Sequence, residues 1–332
     1  MLDDYKKLRI HITPADFIAD IDEMADGSEP LSRCRYFIEP YGPHMINECC
    51  EANYFTGNKV PYHEHTSGYE TFLVDAGAVE VMAYSKKAVA KKGDIVHIPP
   101  YTPHSIHILE DGTIWRAFHQ DLRLTQNMID ERRVRDLYPE IFNAPNFRED
   151  VIARQHSSVW FDYIAPECTD VSASELSLVR PFDFALAKYA FDGVELRLKV
   201  GRSETGGAKE VWQLVLKGGY TFSWLPNNIH PLLFDVFSGS VEVRLDGLDG
   251  FAAKTRDLLH IPKFVAGSIT TLEDTVLLDC GCQGFLTRLM DEFQAYRIRE
   301  PSKLGDREFV QKIMKKHDYY IVFEGLEKNK IV

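Results

Sequence analysis

The 332-residue sequence contains no long apolar run. No segment holds the roughly 18 uncharged apolar residues that a bilayer-spanning helix requires, and the N-terminus MLDDYKKLRIHITPADF has no basic flank followed by an apolar stretch. The sequence therefore shows neither a transmembrane helix nor a typical signal peptide. We expect a soluble, cytoplasmic protein with no membrane partner.

Cysteine is also scarce. The six cysteines are scattered over the chain, which is typical of a reducing compartment rather than of a disulfide scaffold. Cys280 and Cys282 would share one face of a strand, but no second pair of Cys or His residues lies at the spacing of a metal site. We interpret both as small buried hydrophobic residues.

Positive charge is the third deficit, since 38 Lys and Arg residues stand against 50 Asp and Glu residues. The formal net charge is -12, whereas nucleic acids and anionic membranes bind basic surfaces. The composition thus argues against a nucleic-acid or anionic-membrane partner and says little about the actual ligand. The length and the 45% hydrophobic content allow two globular domains, each with its own core.

Short β-like runs separated by Gly, Pro and Asp fill two stretches, from about residue 45 to 118 and from about 187 to 290. The second stretch repeats the first, because ETFLVDAGAVEVMAY aligns with LLFDVFSGSVEVRLD and GDIVHIPPYTPH with RDLLHIPKFVAG. Gly77 pairs with Gly239 at an offset of 162 residues, and Pro99 pairs with Pro262 at an offset of 163. We predict an internal duplication of one antiparallel, all-β unit.

Two segments have helical spacing instead. Between the halves, three- and four-residue spacings predict one or two amphipathic helices that carry Leu122, Met128, Ile129, Val134, Leu137 and Ile141. Near the C-terminus, DREFVQKIMKKH predicts a scaffold helix that begins after the N-cap residue Asp306.

Residues that bind transition metals are concentrated in two segments. GNKVPYHEHTSGYETFLVDAG contains His63 and His65, which can face the same side because alternate residues of a strand do so. Glu70 follows a loop that contains Gly68 and can return a carboxylate to the same point. GDIVHIPPYTPHSIHI supplies His104 after a proline-rich turn.

These two segments resemble the paired motifs of the cupin superfamily. The first segment matches at every motif position, and the second matches at its Gly, Pro and His. Tyr101 stands where the family usually has Gly, and Ile108 stands where it often has Asn. The resemblance implies an all-β fold of two tandem jelly-roll β-barrels with short flanking and linking helices. It also implies one metal ion bound by His63, His65, Glu70 and His104.

Three imidazoles and one carboxylate suit Fe, Mn, Co, Ni, Cu or Zn better than Ca or Mg. Four protein ligands leave positions open around a six-coordinate metal, as Lewis-acid or redox chemistry requires. We therefore expect one divalent transition metal ion as cofactor.

The second half lacks these ligands. By the alignment above, the four ligand positions are occupied there by Leu225, Asn227, Leu232 and Gly267. We predict a metal-binding N-terminal cupin domain at residues 1–120 and a helical or irregular linker at 121–185. A C-terminal cupin domain without metal ligands, ending in a helix, would occupy residues 186–332.

The resemblance leaves several functions open, because cupins include oxygenases, isomerases, lyases, decarboxylases and binding proteins. Our leading hypothesis is an enzyme whose small oxygenated organic substrate chelates the metal, such as a quercetinase-like dioxygenase. The alternatives are a redox-neutral isomerase, lyase or decarboxylase, in which Glu70 moves a proton, and a non-catalytic ligand-binding cupin.

Strand parity suggests which other residues surround the substrate. His119, on the same side of its strand as Trp115, is a second candidate acid or base, and the alternative is a hydrogen-bonded residue of the barrel wall. The candidate substrate contacts are Phe72, Tyr101, Ile106 and Trp115. The resemblance also suggests a homodimer.

Overall fold

The computed structural model describes residues 11–13, 22–24, 32–38, 47–54, 56–120, 122, 130, 133–145, 147, 158–160, 167–226, 229–261 and 263–328, with the backbone alone for the first four ranges and residue 160. The chain forms two compact units. The N-terminal unit is Ile18–Phe184, and the C-terminal unit combines Met1–Phe17 with Ala185–Val332. The first strand, β1 (His11–Thr13), therefore belongs to the C-terminal unit.

The N-terminal unit is built from two sheets, which confirms the all-β prediction for this half. Its strands are β2 (Asp22–Met24), β3 (Ser32–Ile38), β4 (Asn47–Tyr54), β5 (Lys59–His65), β6 (Glu70–Ala76), β7 (Ala78–Ala83), β8 (Lys86–Lys91), β9 (Ile95–Ile98), β10 (His104–Ile108), β11 (Thr113–Gln120), β12 (Ser158–Trp160), β13 (Thr169–Asp170) and β14 (Val179–Arg180). One sheet has the order β12-β5-β10-β7-β8-β13 and the other β14-β9-β6-β11-β4-β3-β2. All pairs are antiparallel except β8 with β13.

A single apolar core fills this barrel. Alternate residues of β6 and β10 bury Phe72, Val74, Ile106 and Ile108 in a cluster that contains Trp115 of β11. Because the cluster draws on strands of both sheets, its burial holds the two sheets together. Each such side chain contributes about 1.5–3 kcal/mol when it leaves water.

The C-terminal unit repeats this architecture. Its other strands are β15 (Lys188–Phe191), β16 (Val194–Val200), β17 (Glu210–Leu216), β18 (Thr221–Trp224), β19 (Leu232–Ser238), β20 (Ser240–Leu245), β21 (Phe251–Lys254), β22 (Leu258–Ile261), β23 (Gly267–Thr271), β24 (Thr275–Cys282) and β25 (Ile321–Val322). They form sheets of order β1-β22-β19-β24-β17-β16-β15 and β21-β20-β23-β18-β25.

The predicted duplication is confirmed strand by strand. β6 and β19 are offset by 162 residues, whereas β10 and β23 are offset by 163. Gly77 and Gly239 are equivalent, with φ values of +73° and +87°. A Cβ at either position would lie 2.3 or 2.5 Å from the Oγ1 of Thr113 or Thr275, so both repeats need glycine there.

Strands that follow or precede each repeat cover the sheet edges. β14, which precedes the second repeat in the chain, pairs with β9 of the first repeat. β1, which precedes the first repeat, pairs with β22 of the second repeat. β12 pairs with β5 and β25 pairs with β18, so the segment after each repeat covers the other edge. Each sheet therefore has, at this edge, a strand of only two or three residues, and very short edge strands offer little template for another chain.

The helices lie outside the barrels' repeated strands. In the linking segment, residues 133–137 are helical and α1 spans Pro139–Phe142, while the predicted helical residues Met128 and Ile129 lie outside the described residues. α2 spans Leu286–Arg299 and α3 spans Arg307–Lys316. The Asp306 cap is confirmed, because its Oδ1 accepts hydrogen bonds from the backbone N–H groups of Glu308 and Phe309. Within the described residues, no helix has the length and apolarity to cross a bilayer.

The C-terminal unit contains a buried carboxyl, Asp279, with a raised pKa. Asp279 of β24 is paired with Trp212 on one side and Phe234 on the other. Burial raises the pKa of Asp279 to about 7 against the opposing hydrogen bond from the Gly281 N–H, and the Glu210 carboxylate adds to the rise. This acid therefore holds its proton in the folded state well above the pH at which an unfolded chain releases it.

We predict that Asp279 makes the C-terminal unit less stable as the pH rises. The folded pKa is about 7 and the ordinary value 3.8, so the stabilising contribution is complete below the lower value and is lost as the pH rises through the upper one. Asp279→Asn removes this dependence. In urea unfolding, the free energy of unfolding of the variant should increase by up to roughly 4 kcal/mol relative to that of the parent protein between about pH 4 and pH 8. If the two proteins differed in unfolding free energy by the same amount at every pH in that range, the raised pKa of Asp279 would be contradicted.

Candidate metal centre

A one-residue bulge in β5 aims its two histidines into the barrel. Val60 lies opposite Ile106 of β10, whereas His63 lies opposite His104, so three steps along β5 match two along β10. The extra residue reverses the side to which the following residues point, so His63 and His65 share the inward face of Val60. Pro61 lies within the bulge, where the ladder is interrupted and its missing N–H is tolerated.

The other two residues stand at the first positions of their strands. Glu70 begins β6 and His104 begins β10. Relative exposures are 4% for His63, 4% for His65, 6% for Glu70 and 0% for His104, so all four side chains are buried. The sequence motif therefore brings four potential metal ligands into the barrel interior.

The ligand atoms of these residues all lie within 4.8 Å of one another. His63 Nε2 is 3.3 Å from His65 Nε2, and Glu70 Oε2 is 3.3 Å from His65 Nε2 and 2.8 Å from His104 Nε2. Neighbouring ligands about 2.1 Å from one metal ion are themselves about 3.0–3.4 Å apart in octahedral or tetrahedral geometry. The spacing fits one transition metal ion.

The outer nitrogen of each histidine has a partner that fixes its ring. His63 Nδ1 donates to the Pro61 carbonyl at 2.8 Å, and His104 Nδ1 donates to the Thr102 carbonyl at 2.8 Å. Because a carbonyl can only accept, Nδ1 of each ring carries a proton, and Nε2 is the nitrogen that a metal would ligate in place of any proton shared with Glu70. His65 Nδ1 lies 2.9 Å from the hydroxyl oxygen of Ser158.

Two residues of the cluster, His63 and Glu70, have shifted pKa values. Burial lowers the pKa of His63 well below its ordinary value, and the rings of His104 and His65 lower it further. Burial acts to raise the pKa of Glu70, but hydrogen bonds with His104 and His65 outweigh this effect and hold that pKa well below its ordinary value. A neutral imidazole and an ionised carboxylate are the forms that ligate metals. The cluster therefore fits the predicted divalent transition metal.

The other predicted site residues occupy two different environments. Phe72, Ile106 and Trp115 belong to the apolar core, and the Phe72 and Trp115 rings lie 4.7 Å apart between centroids. Such buried side chains can touch a substrate only inside the barrel. Tyr101 is 69% exposed, so the structure does not bring it together with these three. Their roles as substrate contacts stay a prediction.

His119 is buried next to β6. Its Nδ1 accepts a hydrogen bond of 3.2 Å from the backbone N–H of Thr71, so the neutral ring carries its proton on Nε2. This tautomer is the reverse of that in His63 and His104. The acid or base role of His119 stays a prediction.

Tyr101 keeps the turn geometry despite replacing the usual glycine. Its φ is +58°, and its counterpart Phe264 has a φ of +66°. Each left-handed non-glycine residue costs about 1–2 kcal/mol. The Tyr101 N–H donates to the His65 carbonyl at 2.7 Å, so this turn is tied to the ligand strand.

Ser158 is the contact that sequence reasoning misses. It lies 93 residues after His65, in a segment predicted as helical or irregular. Its strand, β12, is only three residues long, and no motif marks it. Only the pairing of β12 with β5 reveals its position.

The C-terminal barrel fills the equivalent position with an indole. β18 has no bulge, and Trp224 lies opposite Gly267 as His63 lies opposite His104. The predicted counterpart of His63, Leu225, is therefore wrong, because the sequence offset assumes a bulge that β18 lacks. Leu232 and Gly267 stand where predicted, and Asn227 lies outside the described residues.

Gly267 leaves the space that the indole occupies. A Cβ at this position would lie 2.6 Å from Trp224 Cζ2 and 2.4 Å from the Arg244 carbonyl oxygen. The Trp224 Nε1 donates to the Val265 carbonyl at 2.6 Å, which fixes the ring. An apolar side chain thus replaces the ligand cluster at this position.

Comparison with known proteins identifies the N-terminal barrel. Residues 53–114 match the family model of the cupin domain, and this range contains all four clustered residues. The N-terminal barrel is a cupin domain. No curated protein sequence matches the chain.

Solved structures extend the cupin fold over most of the chain. An oxalate decarboxylase from Bacillus subtilis with Mn(II) centres has a TM-score of 0.50 at 14% identity, covering 94% of this chain and 88% of its own. Salicylate 1,2-dioxygenase from Pseudoaminobacter salicylatoxidans has a TM-score of 0.52 at 14% sequence identity, and the match covers 81% of this chain and 80% of its own. The 11S globulin from Wrightia tinctoria has a TM-score of 0.50 at 10% sequence identity, and the match covers 81% of this chain and 82% of its own. At these identities, the likeness shows the fold alone.

We predict that Co(II) stabilises the protein through His104. A bound ion stabilises the folded state by about 2.7 kcal/mol at a free concentration one hundred times its dissociation constant. Thermal unfolding should show this gain in the parent protein and its loss in His104→Ala. His107→Ala is the matched control, because His107 lies on the same strand but pairs with Glu80 at 3.4 Å. Equal stabilisation of both variants would contradict the site.

We also predict that Gly267→Ala destabilises the C-terminal unit by about 1–3 kcal/mol, because the new methyl group overlaps Trp224 and a backbone carbonyl. Gly305→Ala is the control, since an added Cβ there meets nothing within 4 Å. Chemical denaturation measures both. A Gly267→Ala protein as stable as Gly305→Ala would mean that the indole does not fill this space.

Proposed function

We propose that this protein is a metal-dependent enzyme whose active centre is the cluster of His63, His65, Glu70 and His104. The observation that carries the proposal is the convergence of three Nε2 atoms and the Glu70 Oε2, with a partner on the outer nitrogen of each ring. A structural metal is generally surrounded completely by protein ligands. Among the described residues, only these four potential ligands meet, so coordination positions remain for a substrate.

Charge indicates the class of substrate. Three neutral imidazoles and one carboxylate with a divalent ion carry a net charge of +1, in an interior lined by apolar side chains. Such a site favours an anionic oxygen over a neutral or cationic group. We therefore assign a small organic carboxylate or enol as substrate.

The bound metal would supply Lewis-acid or one-electron chemistry. The chain itself contributes orientation and exclusion of water. Phe72, Ile106 and Trp115 form an apolar wall within the barrel, and such surroundings strengthen electrostatic interactions. The Glu70 carboxylate is the nearest group that can accept or return a proton, because its Oε2 already contacts two ligand rings.

Oxygen-dependent cleavage is the reaction that we place first. The supporting comparison is salicylate 1,2-dioxygenase, whose structure was solved as adducts with gentisate. A redox-neutral reaction is the second candidate, and the position of Glu70 favours it because that reaction needs a proton-transfer group. Oxalate decarboxylase illustrates such chemistry on a similar fold. All three named compounds are small carboxylates.

Non-catalytic binding belongs to a different class. The 11S globulin is described with an auxin binding site. For this chain, that reading requires a ligand that binds without turnover and without needing the metal. It also predicts that the protein with His63→Ala and His104→Ala keeps its ligand affinity.

We predict that the metal-loaded protein consumes oxygen with at least one of salicylate, gentisate and oxalate. An oxygen electrode and product analysis should show equal losses of substrate and oxygen under air and no turnover under strict anaerobiosis. Glu70→Gln, which keeps the shape but not the charge, should reduce turnover by about 10²-fold or more if this carboxylate transfers a proton. Unchanged anaerobic turnover would replace oxygen cleavage with the redox-neutral reaction. Binding of these compounds without turnover would overturn both.

A further inference from the structure

One metal ligand depends on a distant segment of the chain. β5, which carries His63 and His65, has β10 on one side and β12 on the other. Ser158 of β12 lies opposite His65, and Val159 lies opposite Glu64. The short strand thus covers the edge of the strand that supplies two ligands.

The three histidines are not held in the same way. His63 and His104 each bond the backbone carbonyl of the residue two positions earlier, at 2.8 Å in both cases. These partners are local and belong to the ligand strands or the turn beside them. His65 instead meets the side-chain oxygen of Ser158 at 2.9 Å, and Ser158 is itself 4% exposed.

The chemistry of the partner differs as well. A carbonyl oxygen can only accept, so it fixes the proton on Nδ1 whether or not a metal is bound. A hydroxyl can donate or accept, so the tautomer of His65 is set only when the Ser158 hydroxyl accepts from Nδ1. In that arrangement Nε2, which lies 3.3 Å from both His63 Nε2 and Glu70 Oε2, is the His65 nitrogen that a metal would ligate.

We infer that Ser158 is the positioning residue for His65 and that it couples metal binding to the pairing of β12 with β5. This inference rests on the proposed metal centre. Partners of this kind typically change metal affinity 10- to 100-fold when they are removed. Because coupling is reciprocal, the metal should also stabilise the β12 edge strand.

The test compares Ser158→Ala, Ser158→Thr and Ser105→Ala in the full chain. Ser105 is a matched control, because it is buried beside His104 but its hydroxyl donates to Met82 Sδ at 3.3 Å. Co(II) affinity is measured by competition with a chelator, and circular dichroism of the metal-free proteins reports folding. We expect the Co(II) affinity to fall about 10- to 100-fold in Ser158→Ala. It should lie within a few-fold of the parent value in Ser158→Thr and equal the parent value in Ser105→Ala.

Hydrogen exchange provides a readout that a purely structural serine would not change. In the parent protein, Co(II) should slow exchange of the backbone amides shared by β12 and β5, and in Ser158→Ala this effect should disappear. Parent-like affinity in folded Ser158→Ala would overturn the inference and leave the metal centre standing. Equal losses in the Ala and Thr variants would also overturn it. Absence of Co(II) binding in the parent protein would overturn the metal centre and this inference together.

Discussion

The contact between the buried Glu70 carboxylate and the ring nitrogens of His65 and His104 is the constraint on which the N-terminal barrel depends. An ionised carboxylate in an apolar interior is strongly unfavourable unless charged or hydrogen-bonding partners surround it. The partners come from two further strands, β5 and β10, so the carboxylate fixes the register of three strands around one point. The bulge in β5 serves that requirement, because without it the inward residues would be Tyr62 and Glu64.

The second barrel shows what the fold does without this constraint. β18 runs without the bulge, Trp224 occupies the position of His63, and Gly267 leaves room for the indole. Replacing buried polar groups with well-packed apolar ones is often neutral or stabilising. The same strand order therefore supports either a cluster of ligands or a filled core. Among the described residues, the ligand cluster is found in the first barrel alone.

Much of this arrangement is accessible from the sequence. The duplication and the Asp306 cap follow from internal alignment and helix-capping rules, because each signal is repeated or local. The four clustered residues follow from the resemblance of their two segments to the cupin motifs. The error at Leu225 arises because a one-residue bulge leaves no mark in an alignment of equal-length segments. Ser158 cannot be predicted from the sequence for a different reason. Its role depends on a pairing with a strand 93 residues away, in a segment too short to carry a periodic pattern.

The central claim is that one metal ion binds in the N-terminal barrel. X-ray diffraction from crystals of the protein loaded with Co(II), at a photon energy just above the cobalt absorption edge, tests this claim most directly. We predict one anomalous peak per chain among the Nε2 atoms of His63, His65 and His104, within about 2.3 Å of each. A chain with no peak there, or with a second peak of equal height beside Trp224, would contradict it.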